Sequence, residues 1–228
     1  GHGPREGWLF NSGLQGIENA DAVLIVGANP RTEAPLLNTR LRKAWLAGTS
    51  EIGLIGEPAD LTYPYSYLGA GPETLAEIAE GKGAFAEILE KAERPMVIVG
   101  MGALARTDGA AVLAAARKVA ERYGIVKDGW NGFNVLHTAA ARVGGLELGF
   151  LPGAGGRDIE GIYQGCEDGT IEVLYLLGAD ELKLGRLGEA GKGPFVIYQG
   201  HHGDAGAHRA DVVLPGAAYT EKNATYVN

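Results

Sequence analysis

The sequence predicts an α/β protein built as two related Rossmann-like, doubly wound units with parallel sheets. Short apolar runs bounded by glycine recur along it, at Ala22–Gly27 (AVLIVG), Glu51–Gly56 (EIGLIG), Pro95–Gly100 (PMVIVG), Glu172–Gly178 (EVLYLLG) and Phe195–Gln199 (FVIYQ). Each is too short for a helix and too continuously apolar for a strand with one wet face, the pattern of a parallel strand covered on both sides. Helix-patterned stretches separate the runs, so strand and helix alternate. AVLIVGAN at Ala22–Asn29 is echoed by EVLYLLGAD at Glu172–Asp180. Two such strands, each closed by Gly-Ala and an Asx residue, point to two related halves.

Taken in order, Ala22–Gly27 is followed by a turn at Ala28-Asn29-Pro30-Arg31, and Pro35 opens a helix over Leu36–Leu46. Leu37, Leu41, Ala44 and Trp45 share one face of that helix, Gly48 ends it, and Glu51–Gly56 completes a βαβ unit. Glu57–Gly71 carries Pro58, Pro64 and the tyrosines 63, 65 and 67 and reads as irregular, either a ligand-facing aromatic patch or a packed loop. Helices are expected at Pro72–Glu80 and Ala84–Ala92, and the Gly81-Lys82-Gly83 joint between them is the expected domain boundary, giving units 1–81 and 84–228. After Pro95–Gly100, Asp108 is placed to cap a helix over Gly109–Tyr123. Phe133–Val143 reads as helical, with His137 a packed residue; Leu151–Gly156 is glycine-rich and Ile159–Gln164 a short helix. Beyond Phe195–Gln199 come a histidine-rich loop (Gly200–His208), a second short apolar run (Ala210–Leu214), Pro215-Gly216 and a polar tail.

With 228 residues the chain can form one large or two small α/β domains. Its 37 glycines sit mostly at the ends of apolar runs, and 46% hydrophobic content rules out a disordered chain. A net charge of -8 argues against nucleic acid or an anionic membrane as a partner. No apolar run reaches the ~20 residues of a membrane span, and no signal peptide is visible. The lone Cys166 excludes an internal disulfide and an all-cysteine cluster site from this chain alone. The chain opens Gly1-His2-Gly3 and stops inside a polar run, so it reads as a portion of a longer protein.

The glycine-rich turns lack nucleotide fingerprints. Gly27-Ala28-Asn29-Pro30-Arg31 has one glycine, Gly100-Met101-Gly102 lacks the third, and no Gly-x-x-x-x-Gly-Lys-Ser/Thr occurs. His201, His202 and Asp204 are residue types that ligate zinc or iron, with His208 a further donor. Adjacent histidines on an extended strand point to opposite faces, so the other reading is a loop whose histidines bond backbone or a neighbouring subunit. Cys166 lies beside acidic residues that disfavour a thiolate, and Glu221-Lys222 is either a polar ligand contact or an exposed ion pair.

Ala210-Asp211-Val212-Val213-Leu214-Pro215, then Glu221-Lys222 and Ala224-Thr225-Tyr226-Val227-Asn228, resembles the ADVVLP…EK-GT-x-x-N motif of the molybdopterin oxidoreductase superfamily. Gly27-Ala28-Asn29-Pro30 with Pro35 is similar to that superfamily's G-x-N-P turn. Within it, Gly27–Pro35, Tyr198–Asp204 and Leu214–Lys222 most resemble the large iron–sulfur subunits of proton-pumping NADH:quinone oxidoreductase, respiratory complex I, from about Asn11 to Asn228. The resemblance implies units of the formate dehydrogenase/DMSO reductase domain type and a complex that passes electrons from NADH through iron–sulfur clusters to quinone. Those clusters (2Fe-2S and 4Fe-4S) would sit in a cysteine-rich region preceding this portion. It implies partners among the other peripheral-arm subunits, no nucleic acid, no direct membrane insertion, and a place on the cytoplasmic side of a bacterial inner membrane or the matrix side in mitochondria. Enzymes of the superfamily hold a molybdopterin guanine dinucleotide between two α/β halves. The chain departs from them in having Gly56-Glu57-Pro58-Ala59 where Asp-Pro-Arg is usual. A non-catalytic scaffold with a vestigial pterin-type cleft is therefore expected, with no cofactor, no metal and no catalytic residue in this portion. The cleft would draw on Asn29, Arg31, Asp180, His201, His202, Asp204, Glu221 and Lys222. The alternatives are a fragment of a molybdopterin-dependent oxidoreductase, with Asn29, Arg31 and Asp180 near the pterin and Glu221-Lys222 near its far end, and a metal-binding hydrolase using His201, His202 and Asp204.

Overall fold

The structure is a computed structural model that describes residues 4–139, 141–189, 191–203, 205–225 and 227. It divides into two compact units, Gly1–Glu147 and Leu148–Val227. The first contains strands β1 (Ala22–Val26), β2 (Glu51–Ile55), β3 (Ser66–Gly69) and β4 (Pro95–Gly100), a two-stranded ribbon of β5 (Val126–Lys127) and β6 (Trp130–Asn131), and β7 (Phe133–Leu136). Its helices are α1 (Gly13–Gly16), α2 (Pro30–Glu33), α3 (Pro35–Leu46), α4 (Pro72–Ala79), α5 (Ala84–Lys91), α6 (Met101–Leu104), α7 (Gly109–Arg122) and α8 (Arg142–Glu147). The main sheet runs β3-β2-β1-β4-β7 with every pairing parallel. The expected mixed α/β architecture with parallel sheets is what the chain adopts.

Every residue of β1 is buried because both sheet faces are covered. On one face Ala22, Leu24 and Val26 pack with Leu75 and Ile78 of α4, Phe85 and Leu89 of α5, and Val112 and Ala116 of α7. On the other, Val23 and Ile25 meet Leu37 and Leu41 of α3, the apolar stripe read from its three- and four-residue spacing. The expected boundary at residues 81–84 therefore falls inside this unit: α4 and α5 flank it and share one core. Gly81 and Gly83, at φ 84 and 89, make a tight turn between two packed helices, not a linker.

Two further expectations are corrected. Phe133–Val143 is not one helix: Phe133–Leu136 is β7, paired with Val97–Gly100 of β4, and helix begins only at Arg142. The buried Asn134 makes this strand possible, its Oδ1 accepting from Ser12 N–H (3.0 Å) and its amide donating to Gly132 O (3.1 Å). Asp108 precedes α7 without capping it, because its carboxylate is turned to Arg106. The stretch read as irregular also contains β3, a short edge strand whose pairing shifts register between Leu54 and Ile55.

The second unit contains α9 (Ile159–Glu167), β8 (Val173–Leu177), β9 (Phe195–Gly200), α10 (Ala205–Arg209) and β10 (Val212–Pro215), in a parallel sheet ordered β10-β9-β8. One face, with Leu176, Val196 and Tyr198, is packed; on the other, Val173, Tyr175 and Leu177 are 59, 48 and 72% exposed. The echo between the halves extends to hydrogen bonding. Gly27 (φ 60) donates to Ile55 O at 2.8 Å and Gly178 (φ 58) donates to Gln199 O at 2.7 Å, each from the first strand to the end of the second. Among the described residues no helix is long and apolar enough to cross a membrane.

Candidate ligand cleft

A cleft of about 410 Å³ opens at the carboxyl ends of β1–β4 in the first unit. Strand order reverses between β1 and β4, and the loops leaving the strands on either side of such a point diverge, so a crevice forms there. Its floor is backbone. A Cβ on Gly27 would lie 2.5 Å from Ala103 N, and one on Gly100 would lie 2.5 Å from Gly27 O. The turns after β1 and β4 can touch only because both positions are glycine.

The polar groups come from the β1–α2 turn. Asn29 caps α2, its Oδ1 accepting from Arg31 N–H at 3.2 Å, and Glu33 Oε1 accepts from Asn29 N–H at 2.7 Å. Glu33 Oε2 is buried with no hydrogen-bond partner. Glu57 also lines the cleft. Arg106 lines it too but chelates Asp108 (2.7 and 2.8 Å), and that bond holds the Asp108 carboxyl below the ordinary range. The Arg31 guanidinium is bound to the carboxylate and carbonyl oxygens of Asp60 and does not line the cleft. A pyrophosphate needs unspent amides and a free cation at such a turn. Here Glu33 occupies the Asn29 amide, the lining arginine is paired with Asp108, and Glu33 and Glu57 are among the lining residues. These residues do not fit the anionic half of a molybdopterin guanine dinucleotide.

Of the expected site residues, Asn29 and Arg31 lie in the first unit and Asp180, His201, His202, Glu221 and Lys222 in the second. Asp180 joins elements of its own unit, Oδ2 accepting from Tyr198 O–H (2.8 Å) and Oδ1 from Gly206 N–H (2.9 Å). The His201 and His202 rings are exposed and meet edge to face, 4.6 Å between centroids, with their Nδ1 atoms in contact. Asp204 lies outside the described residues. Among the described residues no three His, Cys, Asp or Glu side chains stand together as metal ligands. Glu221 Oε2 accepts from Ala218 N–H (2.9 Å), a local turn, and Lys222 is exposed. Cys166 is buried, and loss of water first, then Glu167 and Asp168, pushes its thiol above the ordinary value. Tyr63 and Tyr65 form a packed loop, Tyr63 buried and donating to Asn38 Oδ1 (3.0 Å) and Tyr65 donating to Ala59 O (2.8 Å), whereas Tyr67 lies in β3 and is exposed; none lines the cleft.

Sequence reasoning missed Glu33 and Arg106, which shape the cleft's charge. Glu33 had a local signal, an acid four residues after an Asn-Pro that starts a helix. It also missed Arg209, which is buried and donates to the carbonyls of Gly188 (2.7 Å), Leu187 (3.2 Å) and Pro194 (3.3 Å).

Parallel α/β units with a crevice at the strand reversal define the class, and the molybdopterin oxidoreductase family description matches residues 1–228, so the chain belongs to that family. It is 45% identical to the NADH-ubiquinone oxidoreductase 75 kDa subunit of Reclinomonas americana, with 98% of the chain and 31% of the relative aligned. It is 44% identical to an NADH-quinone oxidoreductase subunit of Rickettsia bellii, over 98% of the chain and 31% of that relative. Against the mitochondrial NADH dehydrogenase (ubiquinone) iron-sulfur protein 1 of Solanum tuberosum it is 42% identical, over 98% and 29%. The chain thus spans less than a third of the length of these relatives, which are subunits of NADH:quinone oxidoreductase.

Proposed function

We propose that this chain is the scaffold portion of the large iron–sulfur subunit of an NADH:quinone oxidoreductase, and that its cleft is a vacated cofactor site. The complex transfers electrons from NADH through iron–sulfur clusters to quinone. In this reading the 2Fe-2S and 4Fe-4S clusters are held by other segments of the subunit, since this chain offers one buried cysteine. Its partners are other subunits of the peripheral arm, on the cytoplasmic face of a bacterial membrane or the matrix face in mitochondria. Identity of 42–45% along 98% of the chain supports the assignment to that subunit. The observation that carries the vacated-site reading is Glu33, whose carboxylate fills the anion position of the β1 turn at 2.7 Å from Asn29 N. Asn29, Arg31, Asp180, His201, His202, Asp204, Glu221 and Lys222 are then vestiges, and the first three, tied into their own units, keep a structural role.

Metal and pterin analysis of the purified complex tests this. Iron at cluster stoichiometry without molybdenum or pterin is expected; stoichiometric molybdenum with pterin would overturn it.

A further inference from the structure

We infer that the second sheet is one half of a doubly wound sheet, completed by another segment of the same subunit. That segment adds a parallel strand at the free edge of β8 and lays amphipathic helices over the face bearing Val173, Tyr175 and Leu177. Gly27 and Gly178 donate the same hydrogen bond, and aligning the halves on them sets Val23 and Ile25 of β1 against Leu174 and Leu176 of β8. All four are packed. The second strands agree, since Ile52 and Leu54 of β2 fall against Val196 and Tyr198 of β9, also packed. The same alignment sets Ala22, Leu24 and Val26 against Val173, Tyr175 and Leu177. The first three lie under α4, α5 and α7; the other three are exposed. Topology gives the reason. From β8 to β9 to β10 the chain steps one way, and right-handed crossovers then pass over a single face. Ala179, Leu182 and Ala207 of those connections pack on that face, and α9 reaches it through Leu174. In the first sheet β4 lies on the other edge of β1, and α5 and α7 on either side of it in the chain cover the second face. On the matching edge of β8 there is no strand among the described residues. Parallel sheets are covered on both faces, and a contiguous apolar patch marks a surface that meets a partner. The relatives carry chain enough for this, since more than two thirds of each lies outside the aligned portion. The inference goes beyond the scaffold reading and rests on it in one respect, that this chain is part of the larger subunit.

The test is photo-cross-linking in the purified complex, with a benzophenone side chain in place of Leu177 and the products mapped by mass spectrometry. Links to residues of the same polypeptide outside this portion are expected, and mixing light and heavy isotope-labelled subunits separates them from links between two copies. Links to a different subunit, to a second copy or to residues 4–147 of this chain, or no link at all, would overturn the inference. Leu177→Asp would place a carboxylate in a dry seam and should cause loss of assembled complex, while Leu177→Met, which keeps an apolar side chain of similar volume, should not. A normal yield of the Leu177→Asp complex would likewise overturn it. Molybdenum with pterin in the complex would instead strike at the vacated-site reading, so the two failures are distinguishable.

Discussion

Gly27 shows how much a single position decides. Its φ of 60 is left-handed, and a side chain there would collide with the backbone at Ala103. Gly27→Ala should cost about 2–4 kcal/mol, combining left-handed strain with the clash, read as a lower urea midpoint at unchanged slope. The glycine was legible because it ends an apolar run. What the run could not reveal was which neighbour it must touch, since Ala103 lies far along the chain. Asn29 was legible as a turn residue for the same local reason, whereas the burial of Glu33 Oε2 exists only once the chain around it has closed. His201 and His202 illustrate the converse, for dense titratable side chains in a sequence say nothing of convergence, and among the described residues these two rings turn to each other.

Among the elements, the loop between β2 and β3 is held down by Asn38 of α3. Its amide donates to Leu61 O at 3.0 Å and its oxygen accepts from Tyr63 O–H at 3.0 Å, and burial pushes the Tyr63 hydroxyl well above its ordinary pKa. Asn38→Ala would strand both partners in a dry place, and a loss of about 2–3 kcal/mol is expected, with faster amide exchange over residues 57–71 by mass spectrometry. Strands β1, β2, β4, β8, β9 and β10 were readable because each lies in a short apolar run. The edge strands of the first sheet were not. Ser66–Gly69 and Phe133–Leu136 are four residues long, and what makes them strands is the waiting edge of β2 or β4. The glycine joint at 81–83 misled for a related reason: a glycine marks a bend, and only packing says whether the bend separates units or closes a core.

For the whole molecule, several surface carboxylates are pulled below their ordinary pKa. Hydrogen bonds lower Glu18 through Lys43, Asp60 through Thr62 N–H and then Arg31, and Glu167 through Arg186. A depressed folded-state value means these groups favour the fold above the ordinary carboxylate range, around pH 4, and cease to do so as pH falls through the lowered values. Thermal melts should therefore show a midpoint that drops between pH 5 and about pH 3, with the difference shrinking in molar salt because the pairs are exposed. A midpoint that stays flat across that range would contradict the assignment of these pairs.

The open face of the second sheet bears on how such a protein behaves in a concentrated solution. Val173, Tyr175, Leu177, Phe195, Val212 and Leu214 all present apolar atoms to water. Sulfate and similar excluded salts raise the free energy of wetted hydrocarbon while leaving the two packed interiors intact. Salting-out of the isolated chain is therefore expected to draw on this face, between molecules that are still folded.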